Sequence, residues 1–171
     1  ASRLGAPDLR IIDASWWLDG RDARADFERE RLPGAVFFDL DAVSDRNSPY
    51  PHMLPSPDIF AEAMGALGVA ESDDIVVYDA QGLFSAARVW WTLRTMGAKR
   101  VRVLDGGLPK WRAEGRPLQV GAAEAPVPAK FEARFDADAV AEEFRRAMAE
   151  ATGVARASRM FSRDPGGKSG S

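Results

Sequence analysis

The residues best suited to chemistry lie in a short loop at the end of an apolar run. Residues 74–79, DIVVYD, form a run that is typical of a central parallel strand buried on both faces. The loop Asp79-Ala80-Gln81-Gly82 then leads into a predicted helix at 85–96. A strand, a short loop and a helix N-terminus direct several backbone N–H groups at one point, where they would stabilise an anion or a cysteine thiolate.

Asp79 occupies the position where α/β enzymes often keep a nucleophile. The chain contains no cysteine, and an aspartate is a poor nucleophile that cannot carry a sulfur atom. Its carboxylate can still accept hydrogen bonds from the N–H groups of the loop. We therefore expect Asp79 to cap the following helix rather than to catalyse a reaction.

The composition excludes several classes of function. The 171 residues carry a net charge of −3, which gives no general electrostatic reason to bind nucleic acid or an anionic membrane. Without cysteine there is no disulfide and no thiolate metal site, and with His52 as the single histidine one chain cannot form a multi-histidine site. No apolar run approaches the ~20 residues of a membrane span, and the first residues lack the apolar stretch of a signal peptide. We therefore expect a cytoplasmic protein.

Predicted strands alternate with predicted helices along most of the chain. Apolar runs indicate the strands, and capping residues mark several helix ends. The predicted strands are residues 10–14, 34–41 and 74–79, with a strand and turn at 100–107 and a further edge strand at 131–135. The predicted helices are residues 22–32, 57–67, 85–96, 108–115 and 136–151. The core face of the second helix is predicted to hold Ile59, Phe60, Ala63, Met64 and Leu67. The alternation predicts an α/β fold, with a parallel sheet and helices on both of its faces.

The same pattern predicts the domain organisation. Residues 8–120 hold the alternating elements and are expected to form one domain, followed by a linker and helix at 121–152. Residues 153–171 have little apolar periodicity, so we expect this tail to be poorly ordered.

Four segments, in order and in register, resemble the rhodanese family. FERERLPGAVFF (27–38) resembles its N-terminal signature, although Arg31 stands where a histidine is usual. VVYDAQGLFSAARVWW (76–91) and VLDGGLPKW (103–111) resemble its loop region and second signature. FFDLDAVSDRNSPYPHMLPSP (37–57) is similar to the N-terminal domain of 3-mercaptopyruvate sulfurtransferases, which are relatives of thiosulfate sulfurtransferase. The resemblance covers residues 9–150.

The resemblance implies an enzyme of two rhodanese-like domains, of which the second carries the catalytic cysteine loop and takes sulfur as a persulfide. The first domain has an aspartate at the matching place, so Asp79 stands at the cysteine position and Gly82 keeps the turn of the loop. We therefore interpret the chain as the non-catalytic N-terminal half of a 3-mercaptopyruvate or thiosulfate sulfurtransferase, inactive by itself. It would shape the cleft for sulfur transfer from a small donor, with a catalytic rhodanese domain as its partner and with neither a metal nor an organic cofactor.

The resemblance also implies roles for residues outside this loop. In the family, the aspartate that matches Asp41 and the histidine that matches His52 reach across the interdomain cleft and form a proton relay with a serine of the catalytic loop. Such an imidazole can move a proton to or from the enolate of pyruvate. Alternatively, His52 is an ordinary surface residue of a proline-rich loop. Arg159 could stand for a family arginine that binds the substrate carboxylate, or it is a solvated residue of the tail.

Two other functions remain open from the sequence. The chain could be a free-standing inactive rhodanese domain that acts as a protein-binding or regulatory module. A polar face toward the missing domain would favour that alternative, and an exposed apolar patch would favour the half-enzyme. A carboxylate hydrolase using Asp79 and Asp105 would need a divalent ion between two strand ends. We expect Arg88 to pair with a nearby carboxylate, and the five tryptophans to serve in core packing and domain contact.

Overall fold

The computed structural model describes residues 3–138, 140 and 141. The chain divides into two compact units, residues 1–135 and 136–171, and the first unit contains all the strands and helices named below. In the second unit, residues 137, 138, 140 and 141 are helical, as predicted for this part of the sequence. The remainder of that predicted helix, the tail and Arg159 lie outside the described residues.

Four parallel strands form the sheet, and their ends define the site described below. The strands are β1 (Leu9–Asp13), β2 (Ala35–Phe37), β3 (Asp74–Tyr78) and β4 (Arg100–Val103), in the spatial order β2-β1-β3-β4. β3 pairs with β1 on one side and with β4 on the other, so the DIVVYD run is an interior strand as predicted. All pairings are parallel, which brings the carboxyl ends of the strands to one edge.

Helices cover both faces of the sheet, which confirms the predicted fold class. The helices are α1 (Ala23–Arg29), α2 (Pro57–Ala66), α3 (Ala86–Thr95) and α4 (Gly107–Ala113). One core cluster joins one face of the sheet to α2 and α3, through side chains that include Phe60, Met64, Val89 and Leu93. The other cluster joins the opposite face to α1 and α4, through side chains that include Phe27, Leu108 and Trp111. Neighbouring strand residues such as Ile11 and Ile12 belong to different clusters, because successive side chains of a strand point to opposite faces.

The predicted edge strand at 131–135 is wrong, because tertiary contacts outweigh its strand-like sequence. This segment forms no strand, and residues 129–134 instead run across the C-terminal ends of α2 and α3. The Ala129 N–H donates to the Gly65 carbonyl, and the Arg134 N–H donates to the Met96 carbonyl, each at 2.9 Å. A Cβ atom on Gly65 would lie 2.7 Å from the Ala129 oxygen, so this crossing requires glycine.

Two further details differ from the sequence-based expectations. Ile59 is 48% exposed, so the buried stripe of α2 consists of Phe60 and Met64 and does not include Ile59. Strand β2 ends at Phe37 rather than near Asp41, and Asp41 therefore lies on a loop. Among the described residues, no helix combines the length and the apolar character needed to cross a bilayer.

Arg31, which stands where the resemblance leads one to expect a histidine, is 1% exposed. Its guanidinium donates to main-chain carbonyl oxygens, at 2.6 Å for Gly121 and 3.4 Å for both Phe27 and Ala122. The Arg31 backbone also pairs with Gln119 through two N–H···O bonds of 2.9 Å. The arginine thus holds the segment at 119–122 against the end of α1.

Candidate functional site

The loop after β3 is built around the buried carboxylate of Asp79, which is 1% exposed. One oxygen, Oδ1, accepts from the N–H groups of Gln81 at 3.0 Å and Gly82 at 2.7 Å. The other oxygen, Oδ2, accepts from the N–H groups of Phe84 at 2.6 Å and Ala86 at 2.9 Å. The N–H groups that would stabilise an anion in this loop therefore already bind a carboxylate, and Ala86 is the first residue of α3.

Neighbouring elements fix the conformation of this loop. The Ala80 N–H donates to the Ser15 hydroxyl at 2.9 Å, and the Gln81 side-chain amide donates to the Trp16 carbonyl at the same distance. Gly82 has a φ of 104°, which lies in the region that favours glycine. A Cβ on Gly107, at the start of α4, would lie 2.5 Å from the Asp79 carbonyl oxygen, so the two loops meet where only glycine fits.

A second buried carboxyl group, Asp13, lies beneath this loop at the end of β1. It is 1% exposed, and its Oδ1 accepts from the Ser15 N–H at 2.8 Å. Burial raises the pKa of Asp13 above its ordinary value, although its hydrogen bonds to Ser15 and Tyr78 act in the opposite direction. Burial, followed by the charge of Asp13, raises the pKa of the Tyr78 hydroxyl well above its ordinary value. The sequence analysis did not single out Asp13, although an acidic residue ending an apolar run was a visible signal.

On the loop after β2, Asp41 and His52 form a pair. The imidazole Nε2 lies 2.6 Å from Asp41 Oδ1. The Asp41 side chain is 68% exposed and that of His52 is 27% exposed. The Trp16 indole N–H lies 3.2 Å from both carboxylate oxygens, and the Trp16 ring meets the imidazole edge to face at 4.9 Å. The tryptophan packs against the core cluster, as expected from the sequence, and its indole also contacts this site.

The pair assigns different roles to the two imidazole nitrogens. An ionised carboxylate has acceptor capacity alone, so the hydrogen between the two groups must lie on Nε2. In the neutral imidazole, Nδ1 is then the unprotonated nitrogen and can accept a proton. The arrangement can therefore orient an imidazole and move a proton through Nδ1, as a general base or, once protonated, as a general acid.

Arg88, the third residue of α3, contacts the same loop. Its Nη2 donates to the main-chain carbonyl of His52 at 2.6 Å, and its guanidinium lies over the Trp91 ring at 4.8 Å from the centroid. Burial lowers the pKa of Arg88 from its ordinary value. Within the described part of the chain Arg88 forms no ion pair, so the expectation that it pairs with a nearby carboxylate is wrong.

The residues proposed for a hydrolase do not converge on a metal position. Asp105 is exposed and pairs with Lys110, whose hydrogen bond lowers the pKa of the Asp105 carboxyl. The oxygens of Asp79 already accept four N–H bonds. Among the described residues, no group of three or more His, Cys, Asp or Glu side chains could hold a metal ion.

Large apolar side chains are exposed on the three loops that leave the carboxyl ends of β1, β2 and β3. Their exposed fractions range from 46% to 81%. We call this set the carboxyl-edge patch; it consists of Leu18, Tyr50, Met53, Leu83 and Phe84. Phe84 stacks on Trp16 with a centroid distance of 6.3 Å, so the patch adjoins the Asp41–His52 pair.

Comparison with known proteins gives consistent matches. The family model described as Rhodanese-like domain matches residues 2–114. The 3-mercaptopyruvate sulfurtransferase of Homo sapiens is 51% identical over 140 residues, which are 80% of this chain and 46% of that protein. Thiosulfate/3-mercaptopyruvate sulfurtransferase 1, mitochondrial, of Arabidopsis thaliana is 48% identical over 123 residues, which are 71% of this chain and 32% of that protein.

Solved structures agree with these sequence matches. The crystal structure of the 3-mercaptopyruvate sulfotransferase SseA from Escherichia coli matches with a TM-score of 0.75 and 42% identity. The match covers 80% of this chain and 53% of that structure. This chain thus spans about half the length of the relatives it matches or less.

Proposed function

This chain belongs to the family of rhodanese-like domains, and on that premise we propose that it is the non-catalytic half of a 3-mercaptopyruvate or thiosulfate sulfurtransferase. The observation that carries the proposal is the 2.6 Å contact between His52 and Asp41, next to the loop in which Asp79 takes the place of a nucleophile. In this proposal the half supplies an oriented imidazole to a cleft, and a second rhodanese-like domain supplies the thiolate.

The chemistry of the Asp79 loop supports the non-catalytic part of the proposal. Sulfur transfer through an enzyme persulfide requires a thiolate that attacks the donor sulfur. The chain has no cysteine, and the Asp79 carboxylate already accepts the N–H groups that would stabilise such a thiolate. By itself, this half should not turn over either sulfur donor.

The Asp41–His52 pair supports a role in proton transfer during the reaction of the complete enzyme. When a thiolate takes the sulfur of 3-mercaptopyruvate, the carbon–sulfur bond breaks and its electron pair remains on the carbon side as the enolate of pyruvate. That enolate must gain a proton. A protonated His52 imidazole, oriented by Asp41 and Trp16, could deliver the proton from Nδ1 and later regain one.

The carboxyl-edge patch supports the half-enzyme over a free-standing regulatory module. Its five apolar side chains are exposed on loops at the edge where the partner domain would close the cleft, and one of them, Phe84, stacks on the Trp16 ring beside the proton-transfer pair. Burial of these side chains under a partner domain would be favourable, because it would remove their apolar surface from water. The proposed partner is therefore a cysteine-bearing rhodanese-like domain. A cytoplasmic location stays a prediction, since one similar protein is named as mitochondrial.

A domain exchange with the Escherichia coli relative tests this proposal. In the chimera, this chain replaces the matching N-terminal half of that enzyme, and turnover of 3-mercaptopyruvate with a thiol acceptor is measured. We expect the chain alone to react at the buffer rate and the chimera to turn over. His52→Asn should lower the kcat of the chimera by about 100-fold, the lower end of what general acid–base catalysis contributes.

Arg94→Met is the control for a substitution away from the site. Arg94 is an exposed residue of α3, and its side chain donates to the Lys99 carbonyl. We expect it to leave turnover unchanged. The proposal is contradicted if the isolated chain turns over in proportion to its concentration. It is equally contradicted if a folded chimera retains full activity with His52→Asn.

A further inference from the structure

The backbone of His52 adopts a conformation that side-chain-bearing residues seldom take. Its φ is 57°, and among the described residues it is the one non-glycine residue with positive φ. Histidine tolerates this left-handed region better than most residues, yet the conformation still needs support from its surroundings. The direction of the imidazole depends on this backbone, because a change of φ would swing the ring away from Asp41.

Two contacts hold the chain at this strained position and at the residue that follows it. The Asp45 N–H donates to the Met53 carbonyl at 3.0 Å, which closes the loop just after His52. The Arg88 guanidinium donates to the carbonyl of His52 itself at 2.6 Å. The first contact is local, whereas the second spans 36 residues and ties the loop to α3.

Arg88 is itself held in place for this contact. It is the third residue of α3, in the first turn of that helix. Its guanidinium rests over the Trp91 ring, one helical turn further on. The side chain is half-buried, and its Nη2 donates to a neutral carbonyl rather than to a carboxylate.

We propose that Arg88 is a positioning residue: by holding the His52 carbonyl, it keeps the left-handed backbone and directs Nε2 at Asp41. The inference rests on the proposed function for its relevance to sulfur transfer, while the contact itself can be tested in this chain alone. Arg88 would act through His52 and would not touch the reacting atoms.

The test is NMR of the single imidazole in the full chain, with ¹⁵N-labelled histidine. Under alkaline conditions, where the imidazole is neutral, we expect the wild type to show one protonated nitrogen, Nε2, and one unprotonated nitrogen, Nδ1. Arg88→Met should move the two nitrogen shifts toward each other, as in an imidazole that exchanges between tautomers. It should also cause loss of the hydrogen-bonded Nε2–H signal. Asp41→Asn gives the reference spectrum for a ring without its carboxylate partner.

Arg94→Met is again the matched control, since it removes an exposed arginine–carbonyl contact from the same helix and should leave the histidine spectrum unchanged. Arg88→Lys keeps the cation but loses the planar fork, and we expect a shift in the same direction as with Met but smaller. If the Arg88→Met variant does not fold, the histidine spectrum of Arg88→Lys tests the proposal instead. Wild-type ring shifts in a folded Arg88 variant would overturn the proposal. An inactive chimera would instead count against the proposed function and would leave these spectra unaffected.

Discussion

Two carboxylates at the same edge of the sheet have opposite surroundings. Asp79 is 1% exposed, and four backbone N–H groups donate to its two oxygens. Asp41 has a side chain that is 68% exposed, and its oxygens lie within hydrogen-bond distance of the Trp16 indole and the His52 imidazole. The main chain therefore holds one carboxylate, whereas the side chains of Trp16 and His52 hold the other.

Under the proposed function, the difference distinguishes a carboxylate that stabilises the fold from one that takes part in the chemistry. Removing a buried acceptor leaves backbone donors without partners, which costs stability. Removing an exposed acceptor costs little stability, because water replaces it and an exposed ion pair contributes little. At the Asp41 site, however, the acceptor determines the tautomer and the direction of an imidazole that a second molecule can reach. We therefore expect stability to follow Asp79 and proton transfer to follow Asp41.

The largest effect on stability is expected from Asp79→Asn. The amide retains one oxygen, so its NH₂ group faces two backbone N–H donors that the carboxylate had satisfied. Each buried donor without an acceptor costs about 1–3 kcal/mol, and we expect a loss of about 2–4 kcal/mol in the free energy of unfolding. Urea denaturation of both proteins measures this difference.

Asp39→Asn is the control for that substitution. Asp39, on the loop after β2, also accepts a backbone N–H, from Ala42 at 3.0 Å, but this hydrogen bond is exposed to solvent. A change within about 0.5 kcal/mol is expected there. If both variants lose the same free energy of unfolding, Asp79 contributes no more to stability than an ordinary carboxylate that accepts one N–H group in a loop.

A pH-dependent effect is expected from Asp13, which lies beneath the Asp79 loop. Its pKa is raised in the folded chain, chiefly by burial, so between the unfolded and folded pKa values the folded state binds more protons. The protonated Asp13 carboxyl thus contributes its full stabilisation below about pH 3.9, its pKa in the unfolded chain. This contribution is lost as the pH rises through the pKa of Asp13 in the folded chain. Asp13→Asn cannot ionise, so its stability relative to the wild type should increase from acidic to neutral pH. Denaturation curves that keep a constant separation over this range would contradict the raised pKa.

The smallest effect on stability is expected from Trp16→Phe, which removes the indole donor to Asp41 and keeps an aromatic ring next to His52. The hydrogen bond to Asp41 is exposed and phenylalanine keeps an aromatic ring against the core, so we expect a change of about 0.5 kcal/mol or less. Trp111→Phe is the comparison, because the Trp111 indole donates to the Pro117 carbonyl at 2.8 Å from a buried position. That loss should cost about 1 kcal/mol in thermal or urea unfolding. A larger loss for Trp16 than for Trp111 would show that the exposed site contributes to the fold.

The elements that form from local sequence could be predicted, and so could the edge at which the site lies. The apolar run of β3, the Ser56-Pro57 start of α2 and the alternation of strands and helices all depend on neighbouring residues. The segment at 131–135 was predicted wrongly, because its conformation depends on residues that are distant in sequence, such as Met96, whose carbonyl accepts from the Arg134 N–H. The pattern of neighbouring residues does not predict contacts between residues that are distant in sequence.

The geometry of the site depended even more on distant contacts. The Asp41–His52 contact was expected through family resemblance, and no spacing rule predicts that His52 takes a φ of 57°. The support from Arg88 comes from a residue 36 positions away, which the sequence suggested would bind a carboxylate. Trp16 likewise reaches Asp41 across 25 positions. Contacts of this kind follow from the packed fold, since residue type and periodicity do not encode which loop meets which helix.

The most direct test compares Asp41→Asn with Asp79→Asn in the Escherichia coli chimera, measuring both the urea midpoint and turnover per folded molecule. Asp41→Asn should lower turnover of 3-mercaptopyruvate by about 10- to 100-fold, since the imidazole loses its orienting acceptor, while stability changes by about 0.5 kcal/mol or less. Asp79→Asn should lower stability by about 2–4 kcal/mol and keep turnover per folded molecule. Full turnover with Asp41→Asn, or a loss of turnover with Asp79→Asn as large as that expected for Asp41, would contradict the assignment of chemistry to one carboxylate and structure to the other.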